Sequence, residues 1–313
     1  MASRTVLALG GNAILPAKGP ATIEEQFRVT EATMAQVLAL LRSGEQVILT
    51  HGNGPIVGNI LIRNEAAADT IPPTPLYICG ADSQGGIGLM LQQALHNVSN
   101  REGIDTHTVT VVTQTVVDPN DPAFKNPTKP IGPFYTEAEA HRMEKERGWT
   151  LREDAGRGWR RVVASPDPVR IVELETIRTL VGIGQVVIAA GGGGIPVAQT
   201  PSGEYYGVEA VVDKDLAAVV LAEAVQANRL VIVTAVDRVA LDFGRPSQRD
   251  LDVLTVAEAQ RHLDDGQFPP GSMGPKILGA IRFIRNGGRE VLITSPQMLA
   301  EALAGRGGTR IVA

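Results

Sequence analysis

Short apolar runs that end in glycine alternate with amphipathic segments along most of this chain. Residues 5–9, 46–50 and 185–190 are such runs, whereas residues 23–41 and 83–98 carry apolar side chains at helical spacing. Strands that alternate with helices of this length predict an α/β fold, with a mainly parallel sheet covered by helices on both faces. Two lobes that divide near Gly182 and one continuous sheet both fit this pattern.

The later part of the chain continues the alternation. Strands are predicted at residues 106–117, 229–237, 290–294 and 309–313, and helices at residues 169–181, from Asp213 onwards and at residues 274–285.

The bulk composition argues against several classes of function. The 313 residues carry a net charge of −5, so a general attraction to nucleic acid or anionic lipid is not expected. Cys79 is the single cysteine, which excludes an internal disulfide and a thiolate metal cluster and fits a reducing compartment. No apolar run approaches the roughly 20 residues that span a bilayer. We expect a cytoplasmic protein with no nucleic-acid or membrane partner.

Residues 118–168 break the alternation of strands and helices. They are rich in proline and charge, hold both tryptophans and contain little continuous apolar sequence. A segment of this length outside the core is either a disordered linker or a functional lid. The tryptophans and the hairpin-like pattern of residues 148–163 favour an ordered lid.

Three glycine-rich elements each follow a predicted strand. In an open α/β sheet such loops line the ligand crevice, and glycine lets backbone N–H groups approach phosphate oxygens. Neither GxxxxGK[ST] nor GxGxxG occurs at any of them, which disfavours P-loop and dinucleotide-binding folds. The alternative is that these glycines only make tight turns. The elements are Gly10, Gly11 and Asn12, then Gly52, Asn53 and Gly54, and finally residues 191–194.

Three lysines stand in unusual surroundings. Lys129 lies between prolines, and Lys214 and Lys276 begin predicted helices, where an exposed cation costs roughly 0.3–1 kcal/mol. A bound anion about 4 Å away would return roughly 4 kcal/mol at an effective dielectric of about 20. The pattern therefore predicts a phosphate site, against the alternative of three solvated surface lysines.

Two acidic residues and one histidine near these elements are open to more than one interpretation. Asp213 reads as an N-cap or first-turn residue of a helix, and Asp215 as either a helix-start acid or the partner that holds Lys214 or Lys276. No Ser/His/Asp arrangement and no metal-ligand spacing surrounds His51, so we interpret it as structural.

Seven segments of the chain resemble the carbamate kinases of the amino acid kinase superfamily. They are ALGGNAIL, HGNGP, DPAFKNPTKPIGPF, EDAGRGWRRVV, GGGGIPV, GVEAVVDKDLA and PGSMGPK, and together they cover nearly the whole chain. The resemblance implies a three-layer αβα sandwich with a protruding lid subdomain, formed by one domain over residues 1–313 with the lid inserted at about 118–168. It also implies a homodimer.

The resemblance further implies reversible phosphoryl transfer between carbamoyl phosphate and ADP, which gives ATP and carbamate. Mg²⁺ would be held mainly by the nucleotide phosphates, with no metal ligands from the protein. The N-terminal half would bind mainly carbamoyl phosphate or carbamate, and the C-terminal half mainly ATP or ADP. Carbamate attacks through an oxygen that is already anionic, so no general base is required.

The resemblance also assigns roles to individual residues. Lys129 would reach in from the lid, Lys214 and Lys276 would stabilise the transferring phosphoryl group, and Asp215 would orient them. The implied substrate-binding residues are Gly10, Gly11, Asn12, Gly52, Asn53, Gly54, Gly192 and Gly193. The implied nucleotide-binding residues are Lys214, Thr234, Val236, Asp237, Met273 and Lys276.

Two positions depart from the family pattern. Asp82 and Leu89 stand where a methionine and an aromatic residue are expected. One alternative is another phosphotransferase of the superfamily, acting on an acyl or phosphate acceptor. The other, which these two positions suggest, is a catalytically idle nucleotide-binding homologue.

Overall fold

The computed structural model describes residues 3–16, 21–154 and 156–313. Its strands are β1 (Arg4–Leu9), β2 (Gln46–His51), β3 (Thr108–Thr110), β4 (Gln114–Val117), β5 (Lys129–Tyr135), β6 (Thr150–Glu153), β7 (Trp159–Val163), β8 (Pro168–Ile171), β9 (Val186–Ile188), β10 (Ile195–Gln199), β11 (Tyr205–Gly207), β12 (Arg229–Val233), β13 (Val239–Leu241), β14 (Arg249–Leu251), β15 (Val253–Thr255), β16 (Glu290–Thr294) and β17 (Thr309–Val312). Its helices are α1 (Ile23–Arg42), α2 (Gly54–Ala67), α3 (Leu76–Arg101), α4 (Glu137–Arg147), α5 (Leu174–Gly182), α6 (Lys214–Ala224), α7 (Val256–Asp264), α8 (Met273–Arg285) and α9 (Leu299–Leu303).

An eight-stranded sheet runs through the centre of the molecule. Its strand order is β15-β17-β16-β12-β1-β2-β9-β3, and β16 and β17 form its one antiparallel pair. Strands from both sides of Gly182 belong to this sheet, so the two-lobe alternative is wrong and the sheet is continuous. The mainly parallel pairing confirms the predicted fold class.

Helices cover both faces of the central sheet. Along β1, Val6 and Ala8 pack into a cluster with residues of α5, α6 and α8, whereas Leu7 and Leu9 pack into a second cluster with residues of α1 and α3. Successive side chains of a strand point to opposite faces, so a continuous apolar run such as β1 is buried from both sides. This arrangement is the predicted three-layer αβα sandwich.

Three smaller sheets surround the central one. A four-stranded sheet has the order β11-β10-β4-β8, β13 pairs with β14, and a three-stranded sheet has the order β5-β7-β6. The last of these, with α4, lies within residues 118–168, and the antiparallel pairing of β6 with β7 confirms the hairpin predicted there. We call β5, α4, β6 and β7 the lid.

The predicted strand at residues 106–117 is wrong as a single element. It is divided between β3 in the central sheet and β4 in the four-stranded sheet. At the division Gln84 replaces a strand partner: its Oε1 accepts from the Thr113 N–H at 2.8 Å, and its Nε2 donates to the Thr113 carbonyl at 3.1 Å. A buried amide from α3 therefore binds the backbone where the chain passes from β3 to β4, which local sequence does not reveal.

Two helix predictions also need correction. The predicted helix at residues 169–181 begins only at Leu174, because Pro168–Ile171 forms β8 and pairs with β4. The sequence HGNGP was interpreted as a loop, yet Gly54 begins α2, with a proline in its first turn. Proline is favoured there because its missing N–H would have no partner in the first turn of a helix.

None of the described helices is long and apolar enough to cross a membrane.

The parallel strands β1, β2, β9 and β12 all end at the same edge of the central sheet. The loops that follow them therefore meet at that edge.

Candidate active site

A cleft of about 260 Å³ lies at the carboxyl edge of the central sheet. The loops after β1, β2 and β9 form one wall, and the first turns of α6 and α8 form another. The lid contributes residues of β5 and β7 to the same cleft. The sequence-predicted residues that line it are Gly11, Gly52, Asn53, Gly54, Lys129, Gly192, Lys214, Asp215 and Lys276.

Three predicted substrate-binding residues lie outside this cleft. The Gly10 N–H donates to the Val233 carbonyl at 2.8 Å, and a Cβ at residue 10 would stand 2.7 Å from the same oxygen. A Cβ on Gly193 would stand 2.3 Å from the Val212 carbonyl oxygen. These two glycines therefore permit close backbone packing behind the cleft, and Asn12 lines a separate cavity.

Gly52 makes room for a lysine side chain. A Cβ at residue 52 would lie 3.2 Å from Cδ of Lys214, so the absence of a side chain lets the lysine cross the loop. Next to it, the Asn53 amide donates to Ser83 Oγ at 2.8 Å, which fixes the loop to α3.

Asp215 joins two of the three predicted lysines. Its Oδ1 accepts from Lys214 Nζ at 2.5 Å, and its Oδ2 is 3.0 Å from Lys276 Nζ. Asp215 is 3% exposed, and the two lysine side chains are 17% and 13% exposed. Of the two interpretations of Asp215, the geometry favours the partner of both lysines.

The ionisation of Asp215 depends on these lysines. Burial alone raises the pKa of the carboxyl group, but the charges and hydrogen bonds of Lys214 and Lys276 outweigh it and lower the pKa to about 2. At neutral pH the site therefore holds one carboxylate between two ammonium groups.

Asp213 connects the lid to the start of α6. Its Oδ1 accepts from the Asp215 N–H at 2.9 Å, so of the two predicted positions Asp213 takes that of the N-cap, and its Oδ2 accepts from Lys129 Nζ at 2.9 Å. Lys129 lies on β5 of the lid. The three predicted lysines therefore meet in one cleft, although 147 residues separate the first from the last.

His51 lies behind the cleft. Its ring is fully buried, and burial lowers its pKa to about 4, so the imidazole is neutral at physiological pH. Nδ1 lies 3.1 Å from the Gly52 carbonyl, and a Cβ at Gly191 would stand 2.3 Å from Nε2. This packing supports the structural interpretation of His51.

A second cavity of about 240 Å³ adjoins the cleft. Ser272 and Lys276 line both cavities. Of the predicted nucleotide-binding residues, Thr234, Val236, Met273 and Lys276 line the second cavity. Asp237 does not line it and instead accepts a hydrogen bond from Ser295.

Sequence reasoning missed several residues of these cavities. Phe243 and Phe268 line the second cavity, and Arg160 of β7 lines the cleft. Phe268 stands just before PPGSMGPK, which contains the family motif PGSMGPK. Arg160 lies within the family motif EDAGRGWRRVV. Their positions depend on tertiary packing.

The two carboxylates of the cleft, Asp213 and Asp215, form ion pairs with lysines. Among the residues that the structure describes, no group of three or more histidine, cysteine or acidic side chains could hold a metal ion. Asp213 and Asp215 each accept from lysine ammonium groups.

Comparison with known proteins agrees with the fold and the motifs. The sequence model of the amino acid kinase family matches residues 3–295. A carbamate kinase of Pyrococcus horikoshii is 49% identical over 313 residues, which cover 99% of each chain. The chain belongs to the carbamate kinase family. The resemblance seen in the sequence is therefore confirmed.

Solved structures of this family have the same architecture. The carbamate kinase of Giardia lamblia bound to AMP-PNP has a TM-score of 0.93 and 44% sequence identity, covering 99% of this chain and 98% of that one. An Aeropyrum pernix protein gives the same TM-score of 0.93 at 39% identity. These matches confirm the amino acid kinase fold over the whole length.

We expect Asp215→Asn to destabilise the protein. At pH 7 the free energy of unfolding should fall by about 3 kcal/mol, because two partly buried ammonium groups lose their counter-charge. The wild-type carboxylate contributes about 2 kcal/mol, fully present above pH about 4 and lost as the pH falls through the folded-state pKa of about 2. Urea unfolding at pH 7 and between pH 5 and 2 measures both effects.

Asp69→Asn is the matched control, because Asp69 is exposed and no described cation pairs with it. Its unfolding curves should follow the wild type at every pH. If Asp215→Asn did the same, Asp215 would not be the charge that holds the lysines. Added inorganic phosphate should restore part of the stability of Asp215→Asn, since an anion can replace the lost carboxylate.

Proposed function

We propose that this protein catalyses the reversible transfer of a phosphoryl group between carbamoyl phosphate and ADP, giving ATP and carbamate. The observation that carries the proposal is the meeting of Lys129, Lys214 and Lys276 in one cleft, beside an apolar cavity large enough for part of a nucleotide. Relatives that bear the name carbamate kinase, at 49% and 48% identity over the full chain, support it.

The chemistry needs charge and alignment rather than a base. An oxygen of the ADP β-phosphate attacks phosphorus, the bond from phosphorus to the carbamoyl oxygen breaks, and the electron pair remains on carbamate. No proton moves in this step. Among the described residues that line the cleft, none is a histidine, which agrees with this requirement. Catalysis then rests on in-line positioning and on neutralising the charge of the loose transition state.

The cleft residues divide this work among them. Lys214 and Lys276 stabilise the migrating phosphoryl group, and Asp215 keeps both ammonium groups in place. Lys129 reaches the same group from the lid. Gly11, Asn53, Gly54 and Gly192 bring backbone N–H groups towards the phosphate, whereas the Gly52 N–H donates to the Leu9 carbonyl. The adjoining apolar cavity, with Phe243 and Phe268, receives the base of the nucleotide.

Mg²⁺ enters this proposal as part of the nucleotide substrate. Mg²⁺ retains several waters and is usually bound through substrate phosphates and one or two carboxylates, so a dedicated protein cage is not required. When bound, it neutralises charge on the nucleotide phosphates. The lysine-paired state of Asp213 and Asp215 fits this assignment.

A cytoplasmic location belongs to the same proposal. Cys79 is buried and is the one cysteine of the chain, so the fold contains no internal disulfide that would require an oxidising compartment.

Two other functions were open from the sequence. Related kinases act on other acyl or phosphate acceptors, and an idle nucleotide-binding homologue would lack activity altogether. Asp82 and Leu89, which motivated the second alternative, are exposed on α3 and line neither the cleft nor the adjoining cavity. These two residues therefore belong to a surface of the protein and not to the proposed site of phosphoryl transfer.

Purified protein tests the proposal directly. With carbamoyl phosphate and ADP it should form ATP, whereas ATP with N-acetylglutamate or UMP should give no ADP. Binding of ADP without ATP formation would support the idle homologue. Phosphorylation of either alternative acceptor would place the protein elsewhere in the amino acid kinase family.

We expect Lys214→Ala to lower kcat at least about 100-fold while the Kd for ADP changes less than about threefold, because the ammonium group acts mainly on the transition state. ATP formation gives kcat, and calorimetric titration gives the Kd. Lys125→Ala removes an exposed lysine outside the cleft and should leave both unchanged. Equal losses of kcat and of ADP affinity would contradict this role of Lys214.

We also propose that the lid closes over bound substrate. A groove of about 1140 Å³ separates part of the lid from the segment before α8, which leaves room for this movement. Ion pairs connect lid and body: Lys129 with Asp213 at 2.9 Å, Arg161 with Glu209 at 3.4 Å and Arg147 with Glu65 at 3.7 Å. Partly exposed ion pairs of this kind contribute little, about 0–1 kcal/mol each, and can exchange partners.

Limited trypsin digestion tests lid closure. Cleavage within residues 118–168 should slow at least fivefold when ADP and an unreactive anion such as sulfate are added, because a closed lid opens less often to the protease. Cleavage after Arg306, which is exposed in a distant turn, should keep its rate. Equal rates within the lid, with and without ligands, would indicate a fixed appendage.

Finally, we propose that two copies of the chain associate through an apolar surface on α3 and β11. Ile78, Val112, Tyr205 and Tyr206 line one shallow cavity, and Leu89 lies on the same helix as Ile78. These five residues are 37–62% exposed, and we call them the α3 patch. Exposed apolar surface of this kind marks interaction sites, and a two-fold axis would bring the same patch of both copies together.

Leu89→Glu should convert the dimer into a monomer, because it places a charge within the proposed apolar contact. Light scattering during gel filtration measures the mass. Ile183→Glu, a change at an exposed apolar residue of another surface, should leave the mass unchanged. A wild-type protein that is monomeric at micromolar concentration would refute the proposal.

A further inference from the structure

The cleft contains a fourth cation that the roles given above do not use. Arg160 lines it together with Lys129, Lys214 and Lys276, and it is the one arginine that the described residues place there. The three lysines pair with the two aspartates of the cleft, and Arg160 is 3.4 Å from Asp154 at its outer side. A phosphate ester carries close to two negative charges at neutral pH. A fourth cation in the cleft therefore suits a dianionic substrate.

Arg160 is held in place but only partly engaged. Nη2 donates to the Gly132 carbonyl at 3.1 Å, Nη1 is 3.4 Å from Asp154 Oδ2, and the guanidinium carbon lies 5.2 Å from the centre of the Phe134 ring. Nε is buried and has no hydrogen-bond partner within the described residues. A guanidinium group has five N–H donors, so most of its donor capacity is still available.

A neighbouring arginine shows the contrast. Arg157 contacts the same Asp154, at 2.9 Å, and its guanidinium carbon also lies 5.2 Å from the Phe134 ring centre. Arg157 is 63% exposed and lines only the wide groove outside the cleft, whereas Arg160 is 21% exposed and lines both. The shorter contact with Asp154 therefore belongs to Arg157, which lies outside the cleft.

The chemistry of the substrate suggests what the available donors are for. Lysine ammonium groups are compact point charges that suit the migrating phosphoryl group. The carbamoyl group is planar, and its two oxygens lie along one edge, as in a carboxylate. A guanidinium fork matches such an edge with two parallel N–H···O bonds, which a lysine cannot do.

We propose that Arg160 binds the two oxygens of the carbamoyl group and stabilises carbamate as it leaves. This inference rests on the proposed function and assigns the group that recognises its non-nucleotide substrate. When the bond between phosphorus and the bridging oxygen breaks, the electron pair stays on that oxygen and the phosphorus bonds to ADP. The charge on the carbamate oxygens rises during this step, so the contact with Arg160 strengthens in the transition state.

Kinetics of three variants test the assignment. For Arg160→Ala, kcat/KM for carbamoyl phosphate should fall about 10- to 150-fold, the range expected for losing a hydrogen bond to a charged group. The KM for ADP should stay within about twofold. Arg160→Lys should recover less than about a tenth of the lost activity, because it restores charge without the fork. Arg157→Ala, which alters the same aspartate and ring, should stay within about threefold of the wild type.

Chemical rescue separates a direct contact from support of the lid. Guanidinium ions at about 20 mM, far below denaturing concentrations, should raise the activity of Arg160→Ala at least fivefold and leave Arg157→Ala unchanged. A rise in the KM for ADP instead of carbamoyl phosphate would assign Arg160 to the nucleotide and overturn the proposal. Equal losses in Arg157→Ala and Arg160→Ala, with a lowered Tm and no rescue, would show that both residues only stabilise the lid.

A binding measurement distinguishes this inference from the proposed function. If the wild type forms no ATP, the proposed reaction fails, yet freshly dissolved carbamoyl phosphate can still be titrated into wild type, Arg160→Ala and Arg157→Ala. Binding that is lost in Arg160→Ala and kept in Arg157→Ala would support the contact. Equal affinity for all three proteins would overturn it.

Discussion

The active site depends on one buried carboxylate between two ammonium groups. Lys214 and Lys276 both lie in the first turn of a helix, where the positive end of the helix dipole opposes them, and without Asp215 they would also repel each other. At an effective dielectric of about 20, each contact with Asp215 gives roughly 6 kcal/mol of Coulomb attraction before desolvation, which opposes both penalties. The remaining positive charge of this group is available to a phosphoryl group. The site is thus organised for charge before any substrate arrives.

Close packing of two helices makes this arrangement possible. A Cβ on Gly279 of α8 would lie 3.1 Å from Val219 and 3.6 Å from the carbonyl of Asp215, both on α6. Because glycine lets the helices approach at this point, Lys276, one turn earlier, reaches the carboxylate that begins α6. The glycine loops after β2 and β9 then complete the cleft. Gly52 in particular admits the side chain of Lys214.

The lid is attached in a different way from the core. Two continuous apolar clusters pack against the central sheet. The lid contacts the rest of the protein through partly exposed ion pairs and a small apolar cluster that includes Ile131 and Val163. A unit with few buried apolar contacts opens at lower free energy than a core. A lid attached in this way suits the proposed closure over the cleft, to which it contributes Lys129 and Arg160.

The sequence by itself determined the fold class, the parallel sheet, the hairpin of the lid and the three lysines. Each of these depends on a local pattern: apolar runs, glycine after strands, or cations where helix dipoles oppose them. It also carried the family motifs. It did not reveal that Gln84 binds the backbone between β3 and β4, that Gly10 and Gly193 allow close backbone packing, or that Asn12 lines another cavity. Those facts depend on which backbone atoms lie within about 3 Å in space, and residues distant in the chain supply them. Tertiary structure alone decided that Asp215 bridges both lysines and that Arg160, rather than Arg157, lies in the cleft, since both depend on how helices and the lid pack together.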